Sequence, residues 1–100
     1  MIDGTYEIAI DTRMGSKVVT VAAHTEGDTV VGEINAPIVG KQRIVGRVEG
    51  EDAFSAQGTI RLMLVGKIDY ALHGQVTGNL LRATVKSSKG DFELTGTRVL

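Results

Sequence analysis

Gly4-Thr5-Tyr6-Glu7-Ile8-Ala9-Ile10-Asp11, near one end of the chain, and Phe92-Glu93-Leu94-Thr95-Gly96-Thr97-Arg98-Val99, at the other, decide the fold. Both alternate apolar and polar residues, the period of a half-buried β-strand. Pairing the first strand with the last would close everything between them into a barrel, the arrangement that leaves no free sheet edge.

The chain between them reads the same way. Strands are expected at about 4–11, 16–26, 29–36, 41–49, 53–63, 67–76, 79–87 and 91–99, and no window has a helical period. Two classes of glycine turn alternate. Gly15, Gly40, Gly66 and Gly90 mark the first class, spaced by 25, 26 and 24 residues. Glu26-Gly27-Asp28, Glu49-Gly50-Glu51-Asp52 and Thr77-Gly78-Asn79 form the second and carry tight-hairpin signals. The spacing is a four-fold hairpin repeat. The halves also echo each other at an offset near 50: Val30, Gly32 and Ile34 match Leu81, Ala83 and Val85, and Ile44-Val45-Gly46 matches Leu94-Thr95-Gly96. Short links make neighbouring strands antiparallel and adjacent. The expected fold is all-β: a single domain over residues 1–100, an eight-stranded antiparallel up-and-down barrel. A two-sheet sandwich would need longer crossovers.

Composition bounds the function. An apolar fraction of 42% and a charged fraction of 23% are those of an ordinary globular domain. A net charge of -1 argues against nucleic acid as a partner, since phosphate contacts need surplus Lys and Arg. The absence of Cys removes disulfides, thiolate metal sites and thiol nucleophiles, and favours a cytoplasmic setting. No apolar run is long enough for a membrane span, and Met1-Ile2-Asp3-Gly4 does not read as a signal peptide.

Alternation places one uncharged face inward, including Tyr6, Ile8, Ile34, Phe54, Ile60, Tyr70 and Leu72 with glycines 32, 46, 58, 74 and 96. Small inward residues let strands coil into a tight barrel, or leave room for a ligand; a barrel of this size can do either. If it is hollow, Tyr6, Ile34, Phe54, Ile60, Tyr70 and Leu72 would contact the ligand. The outward parity holds Val18, Ala22, Val31, Val45, Met63, Ala71, Leu80 and Val99 among charged residues. Contiguous members of that set would support a homodimer or docking to another protein.

The two ends differ in chemistry. First-class turns gather Arg13, Lys17, Lys41, Lys67 and Lys89 around apolar tips at Met14, Ile38, Val39, Leu64 and Val65. The other end gathers Asp3, Glu26, Asp28, Glu49, Glu51 and Asp52. Strands of this length put the ends roughly 20 Å apart, beyond the Debye length of about 8 Å, so each acts on partners separately. Apolar tips could instead plug the barrel or dock a partner.

Neither catalysis nor metal binding is expected. His24 and His73 lie on outward parity of strands that are not neighbours, a poor start for a site needing three or four ligands. Ser16, Ser55, Ser87 and Ser88 have no evident His and carboxylate to activate them. The glycines fit no phosphate-binding fingerprint, because none joins a strand to a helix. No cofactor is expected.

The layout resembles the calycin group of lipocalins, fatty-acid-binding proteins and avidin-like barrels. Lipocalins begin their first strand with Gly-x-Trp and carry a late Arg across that ring; Gly4-Thr5-Tyr6 and Arg98 hold the matching places, with Tyr for Trp. The resemblance implies a structural clasp of Gly4, Tyr6 and Arg98. It also implies a mouth opposite the termini, rimmed by Met14, Lys17, Val39, Lys41, Val65 and Lys67. Such a mouth suits an apolar or amphiphilic carboxylate ligand. The chain is also similar to small bacterial calycin-like barrels with repeated Met-Gly turns, here Met14-Gly15, and a terminal Phe-x-Gly-Thr-Arg, of which Gly96-Thr97-Arg98 is present with Phe92 further upstream. Some of those are appended to larger enzymes, which implies an accessory role.

Overall fold

The structure, a computed structural model, describes residues 2–12, 15–36, 40–62 and 66–100, with the backbone alone for Ile10, Asp11, Thr12, Ser16, Ala36 and Leu62. It contains β1 (Gly4–Thr12), β2 (Gly15–Glu26), β3 (Thr29–Ala36), β4 (Gly40–Val48), β5 (Ala53–Leu62), β6 (Gly66–Thr77), β7 (Leu80–Ser87) and β8 (Gly90–Arg98). No helix lies among the described residues. The strands pair antiparallel in chain order, and β1 closes on β8. This is the expected meander barrel.

The four-fold repeat has a physical counterpart at the end carrying the termini. Asp3, Asp28, Asp52 and Asn79 each precede the first strand of a hairpin. The carbonyls of Asp28, Asp52 and Asn79 accept the N–H of Val48, Val76 and Arg98, each at 2.8 Å. Asp3 makes the equivalent bond with its side chain: Oδ2 accepts the Thr25 N–H at 3.1 Å and Oδ1 the Thr25 hydroxyl at 2.7 Å. Four hairpins are thus pinned at the same corner. The tight turns there need the left-handed backbone of Gly27 and Gly78, at φ of 62° and 61°.

The two-fold repeat shows in the seams. Within each half, β1–β4 and β5–β8, the ladders are long. Between the halves they are short. β4 meets β5 only over Gly46↔Ala56, Arg47↔Ser55 and Val48↔Phe54. β8 meets β1 only from Tyr6↔Arg98 to Ala9↔Thr95. Each seam closes against a glycine, and these are the echoed pair, Gly46 and Gly96. A Cβ on Gly46 would collide with the Ser55 carbonyl, and one on Gly96 would stand 2.8 Å from Ile8 Cγ1 and 3.1 Å from the Glu7 carbonyl. Glycine lets the backbones approach there. Toward the lysine-bearing turns the ladders stop at Gly46 on one seam and one pair past Gly96 on the other.

Burial follows the ladders. The core is Tyr6, Ile8, Val76, Leu81 and Ala83, with Val19, Val21, Ala23, Phe54 and Leu94 packed on it, toward the end with the termini. Ile34, Ile44, Ile60, Ile68, Tyr70 and Leu72 face the same interior yet are only half-buried, and Phe92 is 44% exposed. One outward residue departs from its parity. Val31, expected on the exposed wall, is 4% exposed, lying between His24 on β2 and Val45 on β4.

Candidate functional site

The end with the termini is sealed by its own side chains. Tyr6 is wholly buried, donates its hydroxyl proton to the Ile2 carbonyl at 2.6 Å and accepts from Arg98 Nε and Nη2 at 3.2 and 2.8 Å. The Arg98 guanidinium carbon stands 5.4 Å from the ring centroid, within cation–π range. Ile2, also buried, caps the opening. The strand ends lock through Thr5 N–H to the Leu100 carbonyl at 3.0 Å and Val99 N–H to the Thr5 carbonyl at 2.8 Å. At Gly4 a Cβ would sit 2.9 Å from the Leu100 carbonyl and 3.0 Å from the Arg98 side chain, at a φ of 147°. Gly4, Tyr6 and Arg98 therefore come together as a clasp. Tyr6, also expected among the ligand contacts, has its hydroxyl committed here, far from the opposite opening.

The other expected interior residues lie in successive rows across the second half of the chain, from the core beside the clasp toward the lysine-bearing turns. Cross-strand pairing gives Phe54–Gly74–Ala83–Leu94, then Ala56–Leu72–Val85–Phe92, then Gly58–Tyr70–Ser87, and last Ile60–Ile68. Ile34 faces them from β3. Gly58 makes room for Tyr70, whose hydroxyl would be 3.1 Å from a Cβ at that position. Partial burial holds the Tyr70 phenol above its ordinary value, so it is a neutral O–H at physiological pH. Two polar residues on the inward row escaped the sequence reading. Gln42 pairs with Ile34 and Ser87 with Tyr70, so both take inward parity toward the lysine-bearing end. Lys17, opposite Ile10, also takes inward parity.

Of the expected rim, Lys17, Lys41 and Lys67 lie at this end and are exposed. Met14, Val39 and Val65 lie outside the described residues. The described inward residues toward this end are mostly apolar; the Ser87 hydroxyl is held within its turn, donating to the Gly90 carbonyl at 2.6 Å, and Gln42 Nε2 donates to the Arg61 carbonyl at 3.4 Å. The Tyr70 phenol and the Lys17 ammonium are polar groups of the kind that could orient an anionic or hydroxylated head beside apolar walls.

Register also creates a feature on the outer wall that spacing alone does not reveal. Ser55, His73, Thr84 and Glu93 fall in one row across β5–β8, beside the row Ala53, Gln75, Arg82 and Thr95. All of these but Ser55, together with Glu49, line a concavity of about 670 Å³. Gly74 and Ala83 thin the wall, so Phe54 and Leu94 of the inner face border it too. Ser55, His73 and a carboxylate are thus closer than expected. The Ser55 hydroxyl, however, donates to Glu49 Oε1 at 2.6 Å on an open surface, and His73 is exposed. A serine nucleophile needs its proton taken by a base in a sheltered site, and this arrangement does not supply that. Among the described residues no group of three or more His, Cys, Asp or Glu is placed to hold a metal ion.

Comparison with protein-family models, with curated proteins and with solved structures finds no match for this chain.

Proposed function

We propose that this barrel binds an apolar or amphiphilic carboxylate in its interior, entering at the flared, lysine-bearing end. One observation carries the reading: the buried inward side chains Tyr6, Ile8, Val76 and Leu81 gather toward the clasp, whereas Ile60, Ile68 and Tyr70 toward the opposite end are half-open to solvent. An interior designed only for stability would gain roughly 25 cal/mol for each Å² of that surface it covered. Lys17, Lys41 and Lys67 favour an anionic head, and the neutral Tyr70 phenol can donate to it. On this reading the protein acts by binding, with no chemical step.

A fluorescent fatty-acid probe should be taken up and displaced by an unlabelled fatty acid. Charge reversal at Lys17, Lys41 and Lys67 together should weaken it about tenfold, the sum of three exposed ion pairs. A neutral probe should be unaffected. Folded, monodisperse protein that takes up neither probe would end the proposal.

A second reading, a structural or interaction module, rests on exposed outward apolar side chains: Val18 is 60% and Val45 53% exposed. They do not form one patch. Val18 pairs with Ala9, whereas Val45 lies beside Val31 two strands away. Light scattering that reports a monomer at high concentration would remove the self-associating form of this reading.

A further inference from the structure

We propose that the barrel docks end-on against an anionic membrane surface, with its lysine-bearing turns toward the lipid headgroups and its termini away from them. The net charge of -1 gives no hint of such a partner, but the charges are sorted along the barrel. Lys17, Lys41, Arg61, Lys67, Lys86 and Lys89 lie at one end, and all are exposed. The carboxylates described there are Asp69, which accepts the Thr59 hydroxyl at 2.6 Å, and Asp91, opposite Lys86. The end with the termini has the reverse balance, with Asp3, Glu26, Asp28, Glu49, Glu51 and Asp52 against Arg47 and Arg98.

The cations at the first end are not spent on the protein itself. Among the described residues none of them makes an ion pair, and the ion pair that does form, His24 with Glu26 at 3.7 Å, belongs to the other end. Their charge is therefore available to a partner.

The placement of the lysines selects the kind of partner. Lys17, Lys41, Lys67 and Lys89 each stand within two residues of a turn glycine, Gly15, Gly40, Gly66 and Gly90. They recur once per hairpin, so the closed meander distributes them around the whole rim. A peptide or the edge of a globular protein would meet one side of that ring. A flat polyanionic surface meets every side at once, and each basic residue near an anionic leaflet raises affinity about fivefold. The acidic turns stand roughly 20 Å further off, more than two Debye lengths of about 8 Å, so they do not oppose docking in this orientation. Turned over, the barrel presents its carboxylates and is repelled. The docking depends on the ring of charge and needs no ligand in the interior.

The probe is a vesicle of phosphatidylcholine containing about 30% phosphatidylserine, with pure phosphatidylcholine as control. The full chain should sediment with the anionic vesicles at low ionic strength, remain in solution with the neutral ones, and be released at about 0.5 M salt, where screening shortens to about 4 Å. Lys86→Gln/Lys89→Gln, outside the rim assigned to a ligand, should weaken vesicle binding about twentyfold. Arg47→Gln/Arg82→Gln makes the same change in net charge away from the ring and should leave binding unaltered. The chain has no cysteine, so a dye sensitive to polarity can be attached at Ser88→Cys or at Glu51→Cys. Its emission should shift on the vesicle at the first position and stay constant at the second. Equal binding to both vesicles, retention at high salt, equal losses in the two double variants, or a shift at both dye positions would overturn the proposal. Tighter binding to soluble polyglutamate than to anionic vesicles would identify an acidic protein as the partner and overturn it equally. The wild-type comparison of the two vesicles stands even if a variant fails to fold.

Discussion

Tyr6 and Tyr70 point into the same barrel and differ in almost everything else. Tyr6 is wholly buried, holds three hydrogen bonds and lies under a guanidinium. Tyr70 is half-buried, on the row next to the last before the lysine-bearing turns. The backbone differs in the same sense. Both seams are zipped beside the clasp, by Gly46 and by Gly96, and unzipped beyond. One end of this barrel is therefore spent on holding the fold, and the other is left with half-exposed apolar side chains and shorter ladders between the halves. Binding functions belong where stability has not claimed the side chains.

The largest effect should come from testing that division directly. Tyr6→Ala removes a fully buried ring and strips Arg98 of its partner, for a loss of about 3–5 kcal/mol in denaturant unfolding. Tyr70→Ala should cost about 1–2 kcal/mol, because half its surface already meets water. Equal losses would erase the distinction between the two ends.

A smaller contrast separates two inward glycines that alternation alone does not distinguish. Gly46→Ala drives a Cβ into the Ser55 carbonyl and toward Ala56, at the point that closes the seam. Overpacking of this kind costs about 2 kcal/mol. Gly58→Ala meets only the Tyr70 hydroxyl, which can swing toward solvent, and a strand gains from losing a glycine; the net change should be near zero. Thermal melts of the two variants would report it.

These glycines mark how far sequence reasoning reached. Alternation and turn glycines specify eight strands, because side-chain period and turn backbone are local properties. The clasp was legible too, because Gly4, Tyr6 and Arg98 carry chemistry as well as position. Alternation says which way a residue points, however, and not how long two neighbours stay paired. Hence Gly46 and Gly58 read alike, although one binds the halves together and the other lies in the flare. Val31 shows the same limit: its parity is outward, but His24 and Val45 flank it and it is buried. Gln42 was overlooked because a polar residue breaks an apolar pattern, and only its register opposite Ile34 shows that it faces inward. The apolar rim tips expected at Met14, Val39 and Val65 fall outside the described residues.

The smallest predicted effect concerns Asp3, the corner that uses a side chain where the other three hairpins use a carbonyl. The Thr25 hydroxyl, then the Thr25 N–H, hold its carboxyl below the ordinary 3.8. A carboxylate so depressed adds stability above about pH 4, and that contribution drains away as pH falls through its lowered folded value. Because the group is largely open to water, its share is about 0.5 kcal/mol after screening. Asp3→Asn keeps the shape and removes the titration. Its stability at pH 7 should drop by that small amount, while the gap from wild type narrows toward pH 2. A gap that stays constant across this range would mean that the corner is held by geometry alone, and that the hairpin pins are interchangeable whether side chain or backbone makes the bond.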